Sequence, residues 1–252
     1  MRWFEIATIW RRELLKFFAD PGLIITSIIV PLSSIIILGF GLNQFVQIPG
    51  LEIDYLDYFG PGAIAVLSIG AAMFVGFSII RDKQGYIKEL LVVPISRYSI
   101  LIGKILSEIT TQILTLIASV AVIVLFVLKT DRGWEGIGWT IFFMFLIVFG
   151  FSGFGIVVSS VFRHAKSYNQ IMVIIILPIA FLSGAFFPIE GLPSVMKYIA
   201  YCNPLTYGVD GIRWSLIGVS NLPILFNTFI LFVFTIAMMV IGAKLFEKGF
   251  KG

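Results

Sequence analysis

Residues 137–161 read IGWTIFFMFLIVFGFSGFGIVVSSV, a run of 25 positions without one charged side chain. A helix rises about 1.5 Å per residue, so about 20 apolar residues cross the roughly 30 Å of hydrocarbon in a bilayer. The run is long enough to span. Its apolar residues are continuous rather than alternating, which argues against a strand of a membrane barrel. Only helices and closed barrels satisfy their backbone inside lipid, so the stretch is read as a transmembrane helix.

Five further segments pass the same length test: 23–45, 58–80, 101–128, 169–187 and 221–243. The composition agrees, with 59% hydrophobic and 13% charged residues and a mean hydropathy of +1.03. A soluble domain carries about a quarter of its residues charged, so much of this chain meets lipid rather than water. The expectation is an all-α integral membrane protein, one domain over 1–252 with six transmembrane helices. The net charge of +4 forms no basic stripe of the kind that holds nucleic acid. Cys202 is the single cysteine, so an internal disulfide is excluded.

Lys and Arg in the connecting segments give the direction. One side would hold 14 of them: Arg2, Arg11, Arg12, Lys16, Arg81, Lys83, Lys88, Arg97, Lys104, Arg163, Lys166, Lys244, Lys248 and Lys251. The other side would hold four, Lys129, Arg132, Lys197 and Arg213. Both termini are thereby expected in the cytoplasm. The apolar run 23–45 exceeds the about 7–15 residues of a signal-peptide core and is read as a retained span. Before it, residues 2–18 place Trp3, Ile6, Ala7, Trp10, Leu14, Phe17 and Phe18 on one helical face. Glu5, Thr8, Arg12 and Lys16 fall opposite. This pattern predicts an interfacial amphipathic helix, with a generic membrane anchor as the plainer reading.

Two segments are neither turn nor span. Residues 81–99, on the cytoplasmic side, are longer than a reversal needs, and a short helix ending before Pro94 would expose Leu90, Leu91 and Val93. Such apolar exposure calls for a cover, either a cytoplasmic partner or the bilayer surface. Residues 188–217, on the outer side, are punctuated by Pro188, Pro193 and Pro204. They predict a short helix from Pro193 to Tyr201, then a second one burying Leu205, Val209, Ile212 and Leu216. Asp210 and Arg213 are expected to pair at i, i+3 on its other face. The second helix is too short and too charged to cross, so a re-entrant hairpin is expected, its irregular backbone buried in protein or lining a water cavity.

Catalytic chemistry has little to stand on. No phosphate loop is present; Gly103-Lys104 is followed by Ile105 rather than by the hydroxyl residue such a loop needs. His164 is the only histidine, which with one distant cysteine makes no metal site. Lys104 and Glu108, four residues apart near the interface, are expected to pair with each other. The other spans carry no mid-membrane charge, which weighs against a proton-coupled carrier and against a membrane enzyme needing convergent acids and bases. Phe74, Phe77 and Phe181 would either line a path for an apolar or sugar-bearing substrate or face lipid.

Two stretches carry a family resemblance. The first is Leu182-Ser183-Gly184-Ala185-Phe186-Phe187-Pro188 with Leu192-Pro193 and Asn203-Pro204-Leu205-Thr206-Tyr207-Gly208-Val209-Asp210-Gly211-Ile212-Arg213. The second is Lys88-Glu89-Leu90-Leu91-Val92-Val93-Pro94-Ile95-Ser96-Arg97 followed by Gly103-Lys104. Together they resemble the ABC-2 type transporter permeases, in particular the drug-resistance and nodulation-type exporter branch, over essentially the whole chain. The resemblance implies an inner-membrane subunit without its own ATPase site, paired with a second permease as a homodimer in contact with membrane lipids. Each copy would dock through 81–99, its coupling helix, onto one of two separate ATPase subunits that bind the ATP and magnesium. It implies coupling roles for Glu89, Pro94, Ile95, Ser96, Arg97, Gly103 and Lys104. It implies an outer gate shaped by Gly184, Pro188, Asn203, Pro204, Tyr207, Asp210 and Arg213, with a structural hairpin as the alternative for the last two. The cargo would be an amphiphilic drug, lipid or glycolipid, or else a polysaccharide or lipid-linked glycan. An autonomous channel, a secondary carrier and a membrane enzyme are the competing classes.

Overall fold

A computed structural model describes residues 3–22, 25, 29, 32–33, 35–43, 45, 53–84, 97–126, 132–162 and 164–251. Among them every regular element is helical. In chain order these are α1 (Trp3–Ala19), a π-helical turn (Ile36–Phe40) running into Gly41–Asn43, α2 (Tyr55–Gln84) and α3 (Arg97–Phe126). Then come α4 (Gly133–Ser159), α5 (Ala165–Phe181), a 3-10 turn (Ile189–Gly191), α6 (Ser194–Cys202), α7 (Pro204–Ile217) and α8 (Ile224–Lys251).

Within α2, α4 and α8, the stretches Tyr55–Arg81, Gly133–Ser159 and Ile224–Leu245 are long and apolar enough to cross a membrane. They correspond to the second, fourth and sixth expected spans. The expected third span lies inside α3, which starts four residues earlier, at Arg97. Of the expected first span, 23–45, the described residues are 25, 29, 32–33, 35–43 and 45, helical but for the turn at Phe45 and passing through the π-helical turn Ile36–Phe40.

The expected fifth span, 169–187, is corrected. Its helix is Ala165–Phe181, 17 residues long, and 182–187 form turns instead. Gly184 sits at φ +77°, a left-handed conformation that ends a helix and that only glycine adopts without strain. Composition could not separate the two, because the turn residues Ala185, Phe186 and Phe187 are as apolar as the helix before them.

The bundle is organised around α4, which packs along α2 on one side and α8 on the other, with α7 laid across its first half. A helix apolar on every side belongs in an interior, and Phe143, Ile147, Val148 and Phe151 of α4 are all buried. Small residues set the spacing, as lipid-embedded helices require. A Cβ on Gly153 would lie 2.7 Å from the α8 backbone at Met238. Towards α2 and α5, Gly76 makes room for the Gly155 carbonyl and for Tyr168 of α5. The Tyr168 hydroxyl donates to the Met73 carbonyl at 2.8 Å. α8 leaves Phe229, Phe232, Val233 and Ile236 exposed on its far side.

α1 packs on α3, so it does more than float at an interface. Ile6 and Ile9 are buried there, against Gly103, where a Cβ would lie 2.8 Å from the Ile6 carbonyl oxygen. Trp10 Nε1 donates to Thr110 Oγ1 at 3.1 Å. Trp3, Phe4, Leu15 and Phe18 stay exposed. The apolar face expected from periodicity is thus divided, with Ile9 joining Ile6 on the protein side, Trp10 reaching α3 through its indole N–H, and Trp3 and Phe18 left outside. Compact branched side chains fit against a glycine and bulky rings do not, a distinction invisible to helical spacing.

Candidate functional site

The signature residues between α5 and α8 converge at one end of the bundle, called here the hairpin end. Asn203 makes the corner between α6 and α7. Its Oδ1 accepts from the Leu205 N–H at 3.0 Å, an N-cap, while its Nδ2 donates to the Ile179 carbonyl in the last turn of α5 at 2.7 Å. Asparagine is among the favoured residues at a helix N-cap, and Pro204 at the next position sacrifices no hydrogen bond. Two more side chains of α7 reach back to satisfy carbonyls at the end of α6. Thr206 Oγ1 donates to Ala200 at 2.6 Å and the Tyr207 hydroxyl to Tyr201 at 2.6 Å. One corner therefore ties three helices.

α7 then lies in a groove of α4. Gly211 admits the ring of Phe143, Gly208 admits Ile147, and the hydroxyls of Thr140 and Ser215 share a hydrogen bond of 2.6 Å. Leu205, Val209, Ile212 and Leu216 are buried, as the sequence predicted. So, however, is almost every other residue of the helix. Any polar group on α7 must therefore find its partners inside the protein.

That requirement overturns the expected Asp210–Arg213 pair. The Asp210 carboxylate accepts three N–H bonds from the α7–α8 connection and α8: Asn221 N at 2.9 Å, Leu222 N at 3.0 Å and Asn227 Nδ2 at 2.7 Å. Arg213 turns the other way. Its Nη2 donates to the Gly184 carbonyl at 2.9 Å, and its guanidinium lies 3.8 Å from the centroid of the Tyr58 ring in α2. The i, i+3 spacing permits a pair on a solvated face. In this buried helix the carboxylate is held instead by three N–H dipoles and the guanidinium by one carbonyl and one ring, with Arg213 Nε left without a partner among the described residues.

The Gly184 carbonyl is shared, because the Tyr58 hydroxyl also donates to it at 3.1 Å. The turn carrying it is pressed onto α2: Gly62 has no room for a Cβ against the Ala185 backbone, and Phe186 packs on Phe59 with centroids 5.5 Å apart. Pro188 leads into the 3-10 turn, whose Ile189 covers Gly184. A cavity of about 10 Å³ remains between Tyr58, Ser183, Asp210 and Arg213, room for about one water. No drug- or sugar-sized molecule fits within this cluster. It is a fastening, not a binding pocket. Tyr58, Gly62 and Asn227 complete it without having been singled out from the sequence. Tyr58 lies in Tyr55-Leu56-Asp57-Tyr58-Phe59, which carries no spacing that would mark it.

The remaining expected residues lie elsewhere. Glu89, Pro94, Ile95 and Ser96 are outside the described residues, and Arg97 opens α3. Gly103 is the contact point of α1. Glu108 accepts from Ser78 Oγ of α2 at 2.7 Å, so it joins α3 to α2 rather than serving Lys104 alone; the Lys104 side chain is outside the described residues. Phe74 and Phe77 are ring neighbours at 5.3 Å, with Arg81 5.8 Å from the Phe77 centroid. They sit about 24–28 Å along α2 from Tyr58. Phe181 is at the hairpin end, half-exposed and stacked on Phe186 at 4.7 Å, so the three aromatics form no common surface.

Comparison with known proteins matches this arrangement. The family model of the ABC-2 type transporter matches residues 5–217, from α1 through the last turn of α7. The inner membrane transport permease YadH of Escherichia coli K12 is 24% identical over 253 residues, covering 98% of this chain and 96% of that protein. A protein of Cyanophora paradoxa, provisionally named as the transport permease ycf38, is 26% identical over 219 residues, 83% of this chain and 73% of its own. The probable multidrug ABC transporter permease YbhR of Escherichia coli K12 is 24% identical over 181 residues, 70% of this chain and 48% of that protein. With the family model spanning most of the chain and ending where the fastened hairpin ends, the chain belongs to the ABC-2 type transporter family of membrane permeases.

Proposed function

We propose that this chain is the membrane subunit of an ATP-driven exporter that moves an amphiphilic drug, lipid or glycolipid outward between two copies of itself. Six spans place both termini in the cytoplasm and the hairpin end outside. A separate ATPase subunit binds ATP and magnesium and grips residues 81–99 of each copy, with Glu89, Pro94, Ile95, Ser96 and Arg97 at the contact. Gly103 and Lys104 carry the movement into α3, where α1 rides on the same helix. Nucleotide drives the cycle only insofar as it favours one membrane conformation over the other.

The observation that carries this reading is the contrast between the fastened end of α5 and its uncovered flank. Its hairpin end is fastened by Asn203, Arg213 and Tyr58, whereas its flank leaves Val173, Ile174, Leu177 and Phe181 uncovered. On the neighbouring α2, Gly70 and Phe74 are likewise open. Two such flanks facing each other would enclose a smooth apolar path capped at its outer end. The multidrug designation of YbhR is in keeping with an apolar cargo.

One observation favours a second reading, export of a polysaccharide or lipid-linked glycan. Phe181, half-exposed at the hairpin end, stacks on Phe186, with Phe59 and Tyr55 buried behind them, and sugar rings stack on such an exposed aromatic face. The test is reconstitution with the cognate ATPase in vesicles of phosphatidylethanolamine and phosphatidylglycerol. ATP-dependent extrusion of a lipophilic dye such as Hoechst 33342 is expected for the first reading. ATPase stimulation by undecaprenyl-linked glycan alone would establish the second. Flux through vesicles containing this chain without any ATPase would defeat both.

A further inference from the structure

The contact between α2 and the turn at 182–188 has the form of a clasp with three independent holds. Gly62 admits the turn backbone, Phe59 meets Phe186, and the Tyr58 hydroxyl takes the Gly184 carbonyl. Arg213 reaches the same carbonyl from α7 and lays its guanidinium on the Tyr58 ring. α7 itself is held to α8 through Asp210 and Asn227. The turn is therefore gripped from α2 and α7 at once. Its other side is continuous with α5.

We propose that Tyr58 is a positioning residue of the transport cycle: with Arg213 it clasps the 182–188 turn to α2, and this clasp must release, parting α2 from α5 within each copy, for the path that the two copies enclose to open outward. The inference rests on the exporter reading given above. A carbonyl offers two lone pairs, and here both are taken by donors from different helices. Separating α2 from α5 at this end breaks the Tyr58 bond and lifts the arginine off its ring. Bringing them together restores both. The Asp210 half need not move, since its three donors all lie on the α7–α8 side. The seam is thus divided into a half that parts and a half that stays.

A thiol reporter tests this. Ser183 is buried within the turn, so Ser183→Cys in a Cys202→Ser chain, in phosphatidylethanolamine–phosphatidylglycerol nanodiscs, reports opening through its labelling rate with a charged maleimide. Tyr58→Phe keeps the ring beneath Arg213 and removes only the hydroxyl. Its expected effect is a labelling rate about fivefold higher, with the melting temperature lowered by no more than about 2–4 °C. In the complex with the cognate ATPase, ATP with vanadate is expected to change labelling strongly in the parent and little in Tyr58→Phe. Arg213→Met, expected to raise labelling further, is the second variant. Labelling that ignores both substitutions, or that follows nucleotide equally in parent and Tyr58→Phe, overturns the proposal. If no ATPase co-purifies but labelling still responds to Tyr58→Phe, the clasp stands and the exporter reading falls. If the ATPase co-purifies and drives transport while the reporter is indifferent, the exporter reading stands and the clasp falls.

Discussion

Replacing Asp210 by asparagine gives a result that depends on which carboxylate oxygen holds which donor. Oδ2 accepts from Leu222 N and from Asn227 Nδ2, whereas Oδ1 accepts only from Asn221 N. An asparagine therefore does best with its carbonyl oxygen at the Oδ2 position, keeping two bonds. Its amide then meets the Asn221 N–H donor to donor, and that bond is lost. A hydrogen bond to a charged group contributes about 1.5–3 kcal/mol. Taking about 2 kcal/mol for the lost one, protection of the Asn221 amide against hydrogen exchange should fall about 30-fold, at about 1.4 kcal/mol per decade. Leu222 and the Asn227 side chain keep neutral bonds, so protection at Leu222 should fall only a few-fold. For a chain of this size about 2 kcal/mol corresponds to roughly 4–8 °C in melting temperature. Hydrogen exchange resolved to single residues by NMR or electron-transfer fragmentation, together with a fluorescence melt in detergent, measures both. Equal loss at Asn221 and Leu222, or no loss at either, would refute the assignment of oxygens. A rescue by neutralising Arg213 would refute it differently, by showing that the two charges chiefly serve each other.

Other substitutions probe separate joints. Gly153→Ala places a methyl 2.7 Å from the α8 backbone and should cost about 1–3 kcal/mol through overpacking; the melting temperature in detergent measures it, and an unchanged value would mean α4 and α8 are not in close contact. Gly103→Val should push Ile6 and Ile9 off α3, so that protease cleaves within α1 several-fold faster while the remaining helices stay intact. Unaltered cleavage would contradict the packing of α1. Arg97→Glu should release the cognate ATPase on affinity purification without reducing membrane insertion, and equal recovery of the two subunits would count against a docking role for 81–99.

Much of the fold could be read from composition alone because long uncharged runs have few alternatives in lipid. Helices Tyr55–Gln84, Gly133–Ser159 and Ile224–Lys251 stand where 58–80, 137–161 and 221–243 were expected, extended at one end or both by residues such as Asp57, Glu135 and Lys244, while Ser160–Val161 and Asn221–Pro223 fall in turns. The end of α5 was misread because hydropathy cannot distinguish an apolar helix from an apolar turn. Gly184 was the available signal, but a single glycine in a membrane segment is as often a packing residue. The hairpin helices were legible from Pro193, Asn203 and Pro204, whose preference for helix starts is local chemistry. The partners of Asp210 and Arg213 were not, since Asn227 is 17 residues beyond Asp210 and Tyr58 is 126 residues before Gly184. Spacing along one helix suggests only the nearest partner. Tertiary burial changed the choice.

The division of polar and apolar residues at the hairpin end also bears on why buried charge is kept there. Replacing a buried ionic group by packed hydrocarbon is often neutral or stabilising, so Asp210 and Arg213 are poorly explained by stability alone. Hydrocarbon packs in many nearly equivalent ways, whereas an arginine shared between one carbonyl and one ring has few. With Asp210 binding the α7–α8 connection, the hairpin has a defined seat on α8, and with Arg213 it has a defined seat on α2 and the turn. A smooth apolar flank such as Ile174, Leu177 and Phe181 supplies no comparable register. Directional bonds at the hairpin end can therefore fix where α2 and α5 meet while leaving the flank below free to differ in shape, and a substitution in that flank should alter which cargo passes before it alters how the seam closes.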